Sequence, residues 1–298
     1  MATFQIEPTR ENLRGRFSRE YPPVLTIDPG DTVNYRTLDA SWGLDGPSWV
    51  DGNLGFSPRD PEQDNGHALC GPIFLRGAHP GMTLEVRFDA IRVGKWGWTH
   101  VEDGKVLKWT LDPDTLIGRD DRGREITLRP FLGVVGMPPD EPGTHSTGPP
   151  RLCGGNLDCK ELVAGTTLYL PISVEGALVS VGDGHAVQGD GEVSGTAIEC
   201  PIEQVTITYN LLSTMPLKGP RARTAEGWIT FGLNEDVTEA ANQATFGMTD
   251  LLTEQYGLSF REALALASLA VDLRITQMVN GVRGVHAVLP HNAIRNLT

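Results

Sequence analysis

Leu84-Glu-Val-Arg-Phe-Asp-Ala-Ile-Arg-Val93 alternates Leu84, Val86, Phe88 and Ala90 with Glu85, Arg87 and Asp89, then resumes on the opposite parity with Ile91 and Val93. A period of two marks a strand with one buried face, and the change of parity predicts a bulge or bend near Ala90. Val205, Ile207, Tyr209 and Leu211 repeat the alternation, while Leu168-Tyr-Leu-Pro-Ile-Ser-Val174 reads as a more fully buried strand interrupted at Pro171. Pro29-Gly30-Asp31, Pro80-Gly81 and Asp121-Arg122-Gly123 supply turns between such runs. The 298 residues include 35 glycines and 21 prolines, well above their usual joint share of roughly 12%, as a turn-rich β fold requires. No repeat on the solenoid scale and no alternation of strands with helices is present, which argues against a parallel doubly wound sheet.

The pattern changes after Phe231. Asp236-x-x-Glu239 opens a segment with Ala241, Ala244, Met248 and Leu251 on one stripe, ending near Gly257. Ser259-x-x-Glu262 opens a second, with Leu266, Leu269, Ala270 and Leu273 as its apolar face. The expectation is one domain over 1–298, with a β-rich body over 1–231 and a helical C-terminal portion over 232–298. Acidic residues outnumber basic ones across both helical segments, the composition of a scaffold and not of a basic binding element.

The formal net charge of −13 disfavours docking on nucleic acid or an anionic membrane. The first residues show no basic stretch followed by an apolar one, and the longest nearly apolar run, 263–271, is about half of the roughly 18 residues a membrane span needs. A cytoplasmic protein is expected. Cys70, Cys153, Cys159 and Cys200 form no Cys-x-x-Cys pair and are too sparse for a disulfide scaffold, so reduced thiols are expected.

Chemistry concentrates after the Pro- and Gly-rich connection 138–150. Val181-Gly-Asp-Gly-His-Ala-Val-Gln-Gly-Asp-Gly-Glu192 combines four glycines, which permit close backbone approach, with Asp183, His185, Asp190 and Glu192. In extended chain Asp183 and His185 share one face and Asp190 and Glu192 another, with Cα separations of about 6.6 Å within each pair. An imidazole with two or three carboxylates suits a divalent metal, zinc first because nitrogen donors fit it better than calcium or magnesium. The same residues also fit an Asp/Gly hairpin whose carboxylates cap turn amides. Gly189-x-Gly191-x-x-x-Gly195 has the wrong last spacing for a dinucleotide fingerprint. Cys153 and Cys159 have no identified His partner and read as packing residues. His79 reads as a residue before a proline turn, His67 is open between a turn and a site, and Trp96 and Trp98 fit either an apolar pocket wall or the core.

The chain resembles the acetamidase/formamidase family of amide hydrolases through Gly71-Pro-Ile-Phe-Leu-Arg-Gly-Ala-His-Pro-Gly81, Gly154-Gly-Asn-Leu-Asp158, Leu168-Tyr-Leu-Pro171, Gly182-Asp-Gly-His-Ala186 and Gly189-Asp-Gly-Glu192. Tyr256-Gly-Leu-Ser259 and Leu273-Arg-Ile-Thr-Gln277 extend the likeness to the C-terminal part. It departs from the family pattern at His79 and Met82, where an acidic pair is common, and at Cys70, where a Thr often stands. The resemblance implies a β-sandwich of jelly-roll character with a helical C-terminal portion, a homo-oligomer, and hydrolysis of a short amide such as formamide or acetamide to a carboxylate and ammonia. Relatives acting on lactam rings keep a lactam substrate open. On this reading Asp158, His185 and Glu192 hold a divalent metal, zinc by preference, and Asp183, Asp190 and Glu192 orient groups and move the proton. Its rivals are a non-catalytic β-sandwich binding calcium or a small ligand through the same acidic loops, and an amidase using Cys153 or Cys159.

Overall fold

The computed structural model describes residues 1–102 and 104–295. In chain order, the strands at the centre of the fold and around the site are β1 (Leu69–Leu75), β2 (Thr83–Val93), β3 (Phe131–Gly136), β4 (Gly154–Asn156), β5 (Ala177–His185) and β6 (Ile202–Leu212). After them come α1 (Val237–Tyr256), α2 (Phe260–Ala270), β7 (Asp272–Gln277) and β8 (Arg283–Pro290). A nine-stranded sheet has β2 and β6 at its middle, and β8 and β7 at one end. A six-stranded sheet runs β4, β3, β5, β1. One hydrophobic cluster draws Val33, Val86 and Phe88 from the first sheet and Cys70, Val135, Val179 and Val181 from the second. The chain is mainly β with helices near its C-terminal end, as expected. Its sheets exceed the eight strands of a simple jelly roll, and strands Thr3–Ile6 and Leu25–Ile27 pair in parallel with their neighbours.

The bulge predicted near Ala90 is present. Thr206 pairs with Ala90 while Ile207 pairs with Phe88, so Asp89 is the extra residue. Leu84, Val86 and Phe88 point into the core before it and Val93 after it, and Ala90 itself is exposed.

Both expected helices form. Asp236 caps α1 by accepting from the Thr238 and Glu239 amides, and Gly257 ends it in the left-handed conformation at φ 66°. Ser259 and Glu262 make a reciprocal capping box on α2. Three features of this region differ from expectation. The portion 232–298 is not helical throughout, because α2 is followed by β7 and β8, which extend the nine-stranded sheet. The stripe of α1 is centred on Ala240, Ala244, Met248, Leu251 and Leu252, with Ala241 only partly buried. The buried face of α2 is Ala263 and Ala267, while Leu269 is 84% exposed and Leu273 lies on β7 and is also exposed. Small residues win that interface because they let backbones approach closely. Gly232 shows the same logic beneath α1, where an added Cβ would lie 1.8 Å from the Ala240 carbonyl oxygen. Among the described residues no helix is long and apolar enough to cross a membrane.

Candidate metal centre

β5 is buried along its whole length between β3 and β1. Such a strand gains from apolar side chains and pays heavily for charged ones, yet its last turn of sequence carries Asp183 and His185, 2% and 1% exposed. Both side chains reach one point, as the sequence spacing predicted, although Asp183 itself leaves the extended backbone at φ 59°. His185 sits opposite Phe131 in the ladder, with the two rings edge to face at 4.9 Å between centroids. Phe131 thereby gives His185 an apolar neighbour in a segment otherwise rich in glycine and acids.

Glu199 reaches the same point through backbone pairing. Its amide and carbonyl bond to Trp98 at 2.8 and 2.9 Å, and the flanking Cys200 amide donates to the Gly184 carbonyl at 2.8 Å. The Nε2 atom of His185 stands 3.4 Å from Asp183 Oδ1 and 3.4 Å from Glu199 Oε2, longer than a good hydrogen bond. Asp158 enters from the loop after β4, its amide donating to the Gly133 carbonyl at 3.3 Å and its Oδ2 accepting from Asn280 Nδ2 at 2.7 Å. Glu192 enters from the 189–195 loop, which is tied to the end of β7 through Gly191 and the Thr276 carbonyl at 3.1 Å.

Two overlapping sets of potential ligands result, Asp158 with His185 and Glu192, and Asp183 with His185 and Glu199. Within each set the ligand atoms all lie within 4.8 Å of one another. Among the described residues, Asp158 Oδ1, Asp183 Oδ1 and Glu199 Oε2 are buried without a hydrogen-bond partner. Partnerless buried carboxylate oxygens converging on one imidazole fit a divalent cation, because protein groups alone leave their charge uncompensated. Gly133 keeps the space open, since a Cβ there would lie 2.5 Å from Asp183 Oδ2 and 2.6 Å from Asp158 Oδ1. Asp158, Asp183 and Glu192 all adopt left-handed backbone angles, at φ 49°, 59° and 48°, a conformation that costs a non-glycine residue about 1–2 kcal/mol.

The electrostatics follow from burial and from this crowding of charge. Burial, reinforced by the charge of Glu192, raises the Asp158 carboxyl well above the usual range. Burial also pushes Glu192 and Glu199 up to about 7. Burial acts the same way on Asp183, but His185 and His67 overcome it and hold that carboxyl below its ordinary value. For His185 burial favours the neutral ring, and Glu199 with Asp183 outweighs it to raise the imidazole well above 6.5.

A cleft of about 500 Å³ opens onto this cluster, walled on one side by Trp49 and Trp98, whose rings meet edge to face. Asp39, itself buried, holds the Trp98 indole nitrogen at 2.8 Å. Trp98 thus takes the pocket-wall role, whereas Trp96 lines a different groove. His67 also faces the cleft, with Nδ1 2.8 Å from Thr147 Oγ1 and Nε2 4.0 Å from Asp183 Oδ2.

The expected trio Asp158, His185 and Glu192 is brought together, with Asp183 beside it. Asp190 is not. It turns outward into an ion pair with Lys160 at 2.8 Å, because the loop carries it and Glu192 to different sides instead of one shared face. His79 is exposed and pairs with Glu175 at the surface. Among the described residues no cysteine lines the cleft. Cys153 donates to the Met137 carbonyl and Cys159 to Glu161, and burial raises both thiols. Glu199 escaped the sequence reading. The available signal was a lone acid inside the apolar run Ala197-Ile-Glu-Cys-Pro201, a setting where an ionised group needs a partner.

The profile of the family described as the Acetamidase/Formamidase family matches residues 141–294. A formamidase of Methylophilus methylotrophus is 48% identical over an alignment covering 61% of this chain and 60% of that protein. An acetamidase of Mycolicibacterium smegmatis is 26% identical, covering 60% and 61%. The chain thus spans about three fifths of the length of these two relatives. Among solved structures, a predicted acetamidase/formamidase from Thermoanaerobacter tengcongensis superposes with a TM-score of 0.85 at 26% identity, covering 97% of this chain and 96% of that one. An acetamidase from Bacillus halodurans gives 0.84 at 28%, covering 98% and 99%. A gamma lactamase from Delftia acidovorans, at 0.61 and 21% identity over 99% and 94%, shares the fold.

Proposed function

Because this chain belongs to the Acetamidase/Formamidase family, we propose that it hydrolyses the C–N bond of a short linear amide, formamide or acetamide, to a carboxylate and ammonia at the buried cluster around His185. The observation that carries the reading is the set of partnerless oxygens on Asp158, Asp183 and Glu199 facing one imidazole at the floor of an open cleft. Asp158, His185 and Glu192 would hold a divalent ion, with zinc preferred for the nitrogen donor. Such an ion supplies Lewis acidity toward the amide oxygen and a water acidic enough to attack near neutral pH.

The residues supply the rest. Glu199 has one oxygen fixed by the Ala197 amide at 3.0 Å and the other free. With its carboxyl pushed up to about 7, it can take a proton from water and return it to the departing nitrogen, a match of acidity to working pH that general acid–base catalysis favours. That role replaces the one expected of Asp190. Asp183 stays ionised and places a negative charge 3.4 Å from His185 Nε2. Trp49 and Trp98 limit water on one flank of the cleft.

Ammonia release from formamide and acetamide, with a γ-lactam run in parallel, tests the reading. Release from the linear amides that stops on chelation and returns with zinc is expected. Undiminished turnover by protein shown to be metal-free by elemental analysis overturns the metal role, and absence of release by zinc-loaded protein overturns the substrate.

A further inference from the structure

Behind the loop that carries Asp158 lies a second cluster that the proposed chemistry does not use. Cys159, Glu161 and His286 are buried, and one ligand atom of each lies within 4.8 Å of the others. Cys159 Sγ is 3.3 Å from Glu161 Oε2, and His286 Nε2 is 3.5 Å from the same oxygen. A tetrahedral ion with ligands at about 2.0 to 2.3 Å sets those ligands about 3.3 to 3.8 Å apart, a range that holds both distances to Glu161 Oε2. His286 Nδ1 is engaged by the Thr276 hydroxyl at 2.8 Å. Among the described residues Nε2 has no hydrogen-bond partner, although His286 is 0% exposed. A fully buried ring nitrogen facing a thiol and a carboxylate without a hydrogen bond is an unmet demand at this place in the fold.

We infer that Cys159, Glu161 and His286 form a second site for a thiophilic divalent ion of the zinc class and supply three of its ligands. A thiolate, an imidazole and a carboxylate are a donor set for zinc or cobalt, and the sulfur argues against calcium or magnesium. Burial favours the neutral ring, and in the tautomer whose Nδ1–H donates to the Thr276 hydroxyl, Nε2 presents its lone pair to the ion. Ion entry displaces the thiol proton, which leaves to solvent as the sulfur–metal bond forms. One thiolate and one carboxylate then balance the two positive charges. Arg274 holds the other oxygen of Glu161 at 3.2 Å and fixes its direction. Cys159 adjoins Asp158 in the chain and His286 lies on β8, so the ion would fasten the Asp158 loop to the C-terminal hairpin.

Cobalt titration of the metal-free full chain reads this site by itself, because a thiolate–cobalt charge-transfer band in the near ultraviolet requires sulfur ligation and the His185 cluster contains none. The band is expected in the parent protein and in His185→Ala, and its loss is expected in Cys159→Ser, which differs by one atom. In parallel, zinc competition against a chromophoric chelator should show one equivalent fewer in Cys159→Ser and in His286→Asn, both checked for a parental circular dichroism spectrum. Absence of the band at saturating cobalt, or its persistence in Cys159→Ser, overturns the proposal. Because His185→Ala removes a ligand of the first cluster only, failure of the amidase reading leaves this outcome independently readable.

Discussion

Gln188 Oε1 lies 2.9 Å from His185 Nδ1 while the same amide group donates its Nε2 hydrogen to the Asp158 carbonyl at 2.9 Å. One side chain therefore sets the orientation of two residues at the site. An amide whose nitrogen is committed to a carbonyl must turn its oxygen to the imidazole. That oxygen requires a hydrogen on Nδ1, which leaves Nε2 directed at the carboxylates.

Replacing Gln188 by Ala should therefore weaken zinc binding by about 10- to 100-fold, the usual effect of removing a group that orients a ligand. Gln188→Glu, which keeps an acceptor toward Nδ1, should recover part of the loss. Chelator-competition titration reads both, and equal affinity in Gln188→Ala and parent would remove Gln188 from this role.

A methyl group at position 133 tests the space between the acids. Gly133→Ala places a Cβ within 2.9 Å of His185 Cε1 and closer still to Asp183 and Asp158. Overpacking of this sort costs about 1–3 kcal/mol. Amide turnover should fall at least as far as zinc occupancy does, while secondary structure persists. Full occupancy with full turnover is the contrary result.

The stability of the metal-free protein should decline between about pH 6.5 and about pH 8. Glu192 and Glu199 carry protons up to about 7 in the folded state, whereas the unfolded chain has already lost them. The raised His185 adds a slope of the same sign above 6.5. The folded state thus binds more protons than the unfolded one, and its advantage is lost as pH rises. His286, shifted downward, favours folding as pH rises but completes its contribution by about 6.5. Zinc competes with those protons and should reverse the trend. Thermal unfolding across this window, with and without zinc, gives the sign.

Thiol reagents should act slowly on the folded protein. All four cysteines are buried, and Cys70 is pushed up to about 12 by burial. Without a thiolate at neutral pH there is little nucleophile to react. Cys153→Ala should retain amide turnover. A rapidly alkylated cysteine whose modification tracks loss of activity would revive a thiol mechanism.

Much of this arrangement could be read from sequence, where local pattern and local geometry coincide. The parity change at Ala90 announced its bulge, and the one-residue gap between Asp183 and His185 announced their convergence on one point. The two helix starts were legible because capping is written in residues three apart. Asp190 was misplaced because alternation predicts faces only for extended chain, and the 189–195 loop is not extended. Glu199 was hidden because its position depends on pairing with Trp98 and Gly184, contacts remote in sequence. β7 reads as part of the helical portion because Leu273 and Ile275 alternate at a sheet's end with exposed side chains, which leaves no buried periodicity in the sequence.

The left-handed backbone at Asp158, Asp183 and Glu192 carries a consequence for descent. Each position would relax with glycine or asparagine, so a requirement for these three carboxylates works against selection for heat resistance at the same three codons. A relative freed from the need for these carboxylates should come to carry those residues and melt at a higher temperature than this chain, so that a gain in durability would record a lost site.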